Sequence, residues 1–177
     1  MVRDFDTLKT SVADFAASCA NKLRGQHSVT SSITVFILSN RFREDLPQYS
    51  NGTTIMLQAP TSDTIEITMA ATKALKDIYR NDIHYKKAGV ILGEIRDASY
   101  IQQNLFDEIQ NRPERNLLME DIDRLNHYFD FKDVRLAAEG EFQSLWRPKS
   151  EYKSGNYLSD INEILTIKIF RLLLSSQ

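Results

Sequence analysis

Several ingredients of common enzyme classes are missing from this sequence. It has a single cysteine, Cys19, which excludes an internal disulfide framework and a cysteine-based zinc cluster and favours a reducing cytoplasm. The six glycines are isolated and the three histidines are scattered, so neither a phosphate-cradling loop nor a histidine metal site is indicated. We therefore predict no catalytic centre, no metal and no cofactor.

Long apolar runs and an excess of positive charge are also missing. No stretch of about 18 apolar residues occurs, so we predict no membrane-spanning segment. The formal net charge is −2; residues 1–100 hold 12 Lys/Arg and 11 Asp/Glu, and residues 101–177 hold 10 and 13. Because phosphate neutralisation supplies most non-specific DNA affinity, any DNA contact should be weak and should depend on a second attachment.

The first half of the chain has the patterns of a small α+β domain. A first helix is predicted over residues 6–23, capped by Asp6 or Thr7 and stopped by Gly25. Its apolar stripe comprises Leu8, Val12, Phe15, Cys19 and Leu23. A strand over residues 32–38 should direct Ile33, Val35 and Ile37 to one side and Thr34, Phe36 and Leu38 to the other.

A polar loop over residues 39–52, ending in the turn signal Asn51-Gly52, should lead to a second strand over residues 53–58, closed by Pro60. A second helix should start at Asp63, with Glu66 completing a capping box. Its predicted buried side comprises Ile65, Met69, Thr72, Leu75 and Tyr79. A third strand over residues 83–95 alternates Ala88, Val90 and Leu92. The order α-β-β-α-β predicts an α+β sandwich of two helices on an antiparallel sheet.

The second half is more polar at first and less regular. Residues 97–116 are predicted to form an exposed linker that contains one apolar dipeptide, Leu105-Phe106. A third helix over residues 114–129 should follow, and a short strand over residues 134–138 should end at Gly140. The predicted buried stripe of this helix comprises Leu118, Ile122, Leu125 and Phe129.

Three stretches of the chain carry a family pattern. Residues 85–93 read YKKAGVILG, residues 102–107 read QQNLFD, and a tail runs from Gly140 through Trp146 to Tyr152. In this order they resemble the C-terminal portion of bacterial UmuC-like translesion polymerases of the Y-family, which has a Y-x-K-A-G-V-x-L-G strand, a Q-L-N-L-F-D peptide and a G-x-x-x-x-W-x-x-K/R...S-P-x-Y-T-T tail. In this chain the tryptophan lies one residue further from the glycine, and the proline and both threonines of the tail are not kept.

The resemblance implies a fold and a division of the chain. Residues 1–97 would be a little-finger DNA-binding domain on the β-α-β-β-α-β plan with its first strand truncated. Residues 98–113 would be a linker with a clamp-binding peptide, and residues 114–177 a small, mixed, family-specific C-terminal module. The catalytic palm would lie upstream, so this polypeptide should not polymerise DNA by itself.

The resemblance also implies where DNA would be bound. The sheet face away from the helices would follow the duplex, with Thr34 and Thr54 on it and with Lys86 and Lys87 as phosphate-binding candidates. The alternative, that both lysines are solvated charges of an edge strand, has equal weight. Related domains often have Lys or Arg at positions like Phe36 and Leu38, and this chain departs from them there.

The clamp-binding peptide would use Gln102 for a polar subsite and Leu105 and Phe106 as apolar anchors in a pocket of the β sliding clamp. Gln103 departs from the usual leucine. The alternative is that both anchors pack back on their own domain. The implied function is a non-catalytic fragment that grips duplex DNA weakly and non-specifically and tethers the polymerase to the clamp during SOS damage tolerance. Processed UmuD is a further implied partner, and a stand-alone interaction adaptor is the alternative.

The truncated first strand raises a structural question. If that strand lay inside the sheet, its loss would leave unpaired backbone groups on two neighbours, which folded proteins rarely tolerate. We therefore expect compensation, either by pairing of the second and last remaining strands or by a segment that fills the gap. Residues 164–170, ILTIKIF, are the best candidate for such a strand, although the same run also suits a helix.

Overall fold

The computed structural model describes residues 1–100, 111–129 and 134–140. The elements follow the predicted order α-β-β-α-β, which confirms the α+β fold class. Two helices lie on one face of an antiparallel sheet, and a third helix follows. The helices and strands are α1 (Phe5–Gly25), β1 (Ser28–Ser39), β2 (Ser50–Thr61), α2 (Thr64–Ile78), β3 (Tyr85–Gly93), β4 (Arg96–Asp97) and α3 (Arg112–Tyr128). No helix in the described part of the chain is long and apolar enough to cross a membrane.

The central strand of the sheet is β1. It pairs antiparallel with β2 on one side and with β3 on the other, and its first two residues pair with the short strand β4. The predicted alternation along β1 is confirmed, because Ile33, Val35 and Ile37 are fully buried under the helices. Ala88, Val90 and Leu92 of β3 also pack against this core, as predicted.

Small residues decide how α1 meets the rest of the core. Leu8, Val12 and Leu23 are buried as predicted, but Phe15 and Cys19 are only half-buried. The fully buried alanines of this helix are Ala13, Ala16 and Ala20. An alanine lets a neighbouring element approach closely, so the contact face of α1 is rotated slightly from the stripe of large side chains.

Both ends of α1 differ from the prediction. Asp4, not Asp6 or Thr7, caps the helix, and its Oδ2 accepts a hydrogen bond from the Thr7 N–H at 2.8 Å. Gly25 is the last helical residue rather than the stop. The chain turns at His27, which adopts a left-handed φ of 53°.

The start of α2 is as predicted, but its buried face is not. Asp63 caps the helix through a 2.7 Å hydrogen bond from the Ile65 N–H, whereas Glu66 turns away to Arg112 and forms no capping box. Of the predicted face, Leu75 is buried and Met69 is 68% exposed. The observed buried residues are Thr64, Ile67, Thr68, Ala71, Ala74, Leu75 and Ile78. The alanines again allow the close approach that the larger residues would prevent.

Two turn signals lie inside β2. Asn51 and Gly52 pair with Ile37 and Phe36 of β1, so the predicted turn is wrong and the strand begins earlier, at Ser50. Pro60 lies within the strand rather than closing it. A proline is tolerated there because β2 is an edge strand and does not need every N–H for a ladder.

The expectation of a gap inside the sheet is wrong. Among the described residues, β1 separates β2 from β3, and the sheet is continuous. Val2 pairs with Tyr85 on the free edge of β3, through N–O distances of 2.9 and 2.7 Å. This pairing lies at an edge of the sheet, so the described sheet has no opening to compensate. Residues 164–170 lie outside the described residues.

The third helix exists where it was predicted, but a different face of it is buried. Met119 is 1% exposed, whereas Leu118, Leu125 and Phe129 are each about half exposed, at 49%, 46% and 53%. The predicted strand over residues 134–138 is also wrong, because a 3-10 helix occupies Ala137–Glu139. The Asn126 side chain bonds both backbone groups of Val134 at 2.9 Å, so no strand partner is needed there.

Candidate functional site

The sheet face opposite the helices is open and is built from three strands in register. Thr34 of β1 lies between Thr54 of β2 and Ile91 of β3. The two threonine hydroxyls are 2.8 Å apart and share a hydrogen bond. The structure therefore brings together the two predicted hydroxyl contacts, near the middle of the open face.

An aromatic ring occupies the next row of this face. Phe36 pairs with Gly52 on one side and with Gly89 on the other. A Cβ at Gly89 would collide with the ring, and one at Gly52 would lie 3.2 Å from the Phe36 Cβ. The ring thus lies across Gly89, and the centre of the face is apolar.

The two predicted lysines owe their position to a β-bulge. Leu38 pairs with Lys87, but Ser39 pairs with Tyr85, so Lys86 is the extra residue. In a regular strand Tyr85 would share the face of Lys87, because side chains alternate. The bulge instead lets Tyr85 be fully buried while both lysines stay exposed at one end of the sheet.

The loop between β1 and β2 lies beside these lysines. The Lys86 Nζ is 5.5 Å from the centroid of the Phe42 ring and 3.4 Å from the Asn40 Oδ1. Phe42 is 89% exposed, the most exposed of the large apolar side chains described. We did not predict this residue from the sequence. The signal for it is the aromatic between two arginines, Arg41-Phe42-Arg43, in a polar loop.

One glutamine side chain holds this loop in shape. The Gln48 Nε2 donates to the backbone carbonyls of Asn40, Arg43 and Leu46 at 3.2, 2.8 and 3.1 Å. The loop is therefore built around a fixed polar centre, and Phe42 points away from it into solvent.

The charges of this end of the sheet are partly neutralised. Arg43 makes two hydrogen bonds to Asp45, at 2.7 and 2.6 Å, and this pairing lowers the pKa of the Asp45 carboxyl. Among the described residues, Arg41, Lys86 and Lys87 form no ion pair. These three cations are therefore the ones that a phosphate backbone could meet without displacing a carboxylate.

A second cluster of polar side chains joins α3 to α1 and to the start of α2. The Arg24 guanidinium, near the end of α1, binds both carboxylate oxygens of Asp123 at 2.6 and 2.8 Å. Its remaining nitrogen donates to the Ser62 carbonyl and the Thr64 hydroxyl at 2.7 and 2.8 Å. With 12% of its side chain exposed, the Arg24 guanidinium is held by four hydrogen bonds, two of them a bidentate pair with a carboxylate.

Two further ion pairs hold the start of α3. Arg115 binds the buried cap residue Asp63 at 2.5 Å, and Arg112 binds Glu66 at 2.8 Å. Burial raises the pKa of Glu66, an effect that the Arg112 charge opposes. Since the Ala98 N–H also donates to the His27 carbonyl at 2.9 Å, the polypeptide is attached to the domain on both sides of residues 101–110.

The predicted clamp-binding residues Gln102, Leu105 and Phe106 lie outside the described residues. Within the part that the structure describes, no three His, Cys, Asp or Glu side chains come together to hold a metal. Cys19 lies on the half-buried side of α1, and burial raises the pKa of its thiol.

Comparison with known protein families identifies this domain. Residues 1–105 match the impB/mucB/samB family C-terminal domain. The chain belongs to this family, the UmuC, ImpB and SamB branch of the Y-family polymerases. Residues 116–167 match a second family, described as a domain of unknown function, whose matched region begins within α3.

Three relatives show the extent of the likeness. Protein UmuC of Salmonella typhimurium strain LT2 is 34% identical over 94% of this chain and 39% of its own length. Protein ImpB of Salmonella typhimurium is 34% identical over 92% of this chain and 38% of its own, and protein SamB is 32% identical over 95% and 39%. The chain thus spans about two fifths of the length of these UmuC-family relatives, and the catalytic domain of the family is not covered.

Proposed function

We propose that this chain is the non-catalytic C-terminal part of an error-prone translesion DNA polymerase, acting in the cytoplasm during the SOS response. Its open sheet face grips duplex DNA, and residues 102–106 tether the enzyme to the β sliding clamp. The observation that carries the DNA role is the bulge at Lys86, which presents Lys86 and Lys87 together at the end of an otherwise uncharged sheet face.

The grip is weak because few cations take part. Thr34 and Thr54 can donate hydroxyl protons to phosphate or sugar oxygens, and Phe36 offers only apolar contact. Phosphate contacts position a protein on DNA but carry no base information, so binding by this face is independent of sequence.

The clamp role rests on the Gln102, Leu105 and Phe106 peptide and on where it is attached. Residues 98 and 112 on either side of it are bonded to the domain, by the His27 carbonyl and by Glu66. A clamp bound by this peptide is therefore kept close to the DNA-gripping face. When one chain makes two contacts, the second becomes intramolecular, and two weak contacts give a durable complex.

Salt dependence of DNA binding tests the grip. We expect fluorescence anisotropy with a labelled duplex to give no nanomolar binding in physiological salt, and a slope of log affinity against log salt of about −3 for three cations. Lys86→Ala with Lys87→Ala should reduce that slope to about −1, since each phosphate contact contributes about −0.9.

The matched control removes two lysines from the helical face instead. Lys9→Ala with Lys73→Ala changes the net charge equally, but Lys9 and Lys73 line a groove between α1 and α2, away from the open sheet face. This variant should keep the slope of the unsubstituted chain. Nanomolar duplex binding, or equal slopes for the two double variants, would contradict the proposed grip.

A further inference from the structure

We propose that Phe42 is a stacking platform for an unpaired nucleobase of single-stranded DNA, with Arg41, Lys86 and Lys87 holding the flanking phosphates. The proposal rests on the DNA-binding role above and adds to it a base-stacking contact at the tip of the β1–β2 loop, beside the same cations. It assigns to this chain a contact with the unpaired strand beside a duplex.

The first observation is that a large apolar ring is presented to solvent by a loop that is otherwise polar. Phe42 is 89% exposed, whereas Phe36 on the sheet face is half-buried against glycine. The Phe42 N–H donates to the Asn40 Oδ1 at 3.2 Å, and Gln48 fixes the carbonyls on both sides. The ring is therefore held out by a shaped loop rather than left on an unconstrained one.

The second observation is the set of charges around the ring. The Lys86 ammonium lies 5.5 Å from the ring centroid, a cation–π distance. Arg41 adjoins the ring in sequence, and Lys87 follows Lys86. The loop's acids are Glu44 and Asp45, and Asp45 is already paired with Arg43. The ring thus stands among more free cations than free carboxylates, which favours a polyanionic ligand with flat, unsaturated groups.

Single-stranded DNA fits this combination better than a duplex does. Every nucleobase has an unsaturated face on which an aromatic ring can stack, and cations beside the ring meet the backbone. Inside a duplex those faces are covered by neighbouring base pairs, so away from the duplex ends a ring at a loop tip reaches only the backbone. The Lys86 ammonium lies over the Phe42 ring, and because this side chain is 89% exposed, the ring keeps an open face for one base.

The test compares oligothymidylate with a blunt duplex, both fluorescently labelled. Phe42→Ala should weaken oligothymidylate binding about tenfold and change duplex binding by less than about twofold, because stacking is lost only for the unpaired strand. Tyr128→Ala is the matched control, since Tyr128 is another aromatic, 81% exposed, on α3. It should change neither affinity.

The fluorescence of a tryptophan that replaces Phe42 measures stacking directly. In a chain with Trp146→Phe, the Phe42→Trp emission should be quenched by oligothymidylate and not by the blunt duplex. Circular dichroism should show that the Phe42 variants fold, as expected for substitutions at so exposed a position.

The outcomes separate this site from the DNA grip. If the unsubstituted chain binds the duplex but Phe42→Ala keeps full affinity for oligothymidylate, or if Phe42→Trp is not quenched, the stacking site is refuted and the grip stands. If the unsubstituted chain binds neither DNA, the grip fails and the stacking site fails with it.

Discussion

At Gly89, the missing side chain leaves the space that the Phe36 ring fills. A methyl group there would lie 2.4 Å from the nearest ring carbon of Phe36, a distance that packed atoms do not adopt. Gly89 therefore shapes the open sheet face by letting an aromatic lie across it. The consequence is a residue pair whose effects on stability should depend on one another.

We predict that Gly89→Ala lowers the free energy of unfolding by about 1 kcal/mol, because the displaced ring loses its packing. In a Phe36→Ala background the same substitution should cost nothing, since the obstacle is gone. Urea denaturation of the four proteins in a double-mutant cycle measures the coupling. Equal destabilisation in both backgrounds would show that the ring does not lie where the structure has it.

Single residues were predictable from sequence where a repeating pattern or a capping rule applies. The alternation of Ile33, Val35 and Ile37 and the cap at Asp63 are examples. Phe42 was missed because exposure in a loop follows no period. Its position depends on hydrogen bonds from Gln48, a residue six positions later whose role no local pattern indicates.

At the scale of helices and strands, the attachment of α3 to the rest of the domain matters most. This helix is joined to α1 and to the start of α2 by three arginine–carboxylate pairs, of which Arg24–Asp123 has the most hydrogen bonds. These pairs explain why the outward stripe of α3 is the one with Leu118 and Leu125. The buried side is the one from which Arg115 and Asp123 reach their partners.

We predict that Asp123→Ala costs about 2 kcal/mol of stability, because it leaves the largely buried Arg24 guanidinium without its carboxylate. Amide hydrogen exchange over residues 112–128 should speed up at the same time. The control is Asp121→Ala, which removes an exposed pair with Arg124 on the same helix and should cost at most about 0.5 kcal/mol. Similar costs for the two variants would mean that α3 is not held by Arg24.

For the helices and strands, the sequence indicated which of them exist but not which of their faces are buried. Both α2 and α3 carry overlapping apolar stripes, and the choice between them is made by alanines at the α1–α2 contact and by ion pairs at α3. The central place of β1 could not be derived either, since strand order depends on contacts far apart in sequence. The expectation of a gap failed for that reason.

For the whole molecule, the balance of charge decides how the chain meets DNA. The whole chain has a net charge of −2, and residues 1–100 hold 12 Lys/Arg and 11 Asp/Glu. With this balance, and with three cations without an ion pair at one end of the described sheet, we expect the domain to hold DNA only weakly by itself. Membership of the family supports the DNA-gripping role that we propose. Because the charge of the chain is near neutral, we also propose a second attachment to hold the chain near DNA. The clamp-binding peptide is that second attachment in our account.

The most direct test of this account is calorimetric titration of the chain with its cognate β sliding clamp. The unsubstituted chain should bind, and Leu105→Ala with Phe106→Ala should abolish measurable binding, since each apolar anchor contributes about 2 kcal/mol or more. Leu117→Ala with Leu118→Ala, an exposed apolar pair on α3, should bind like the unsubstituted chain. Clamp affinity that is unchanged by the first double substitution, or that is lost equally in the second, would contradict the account.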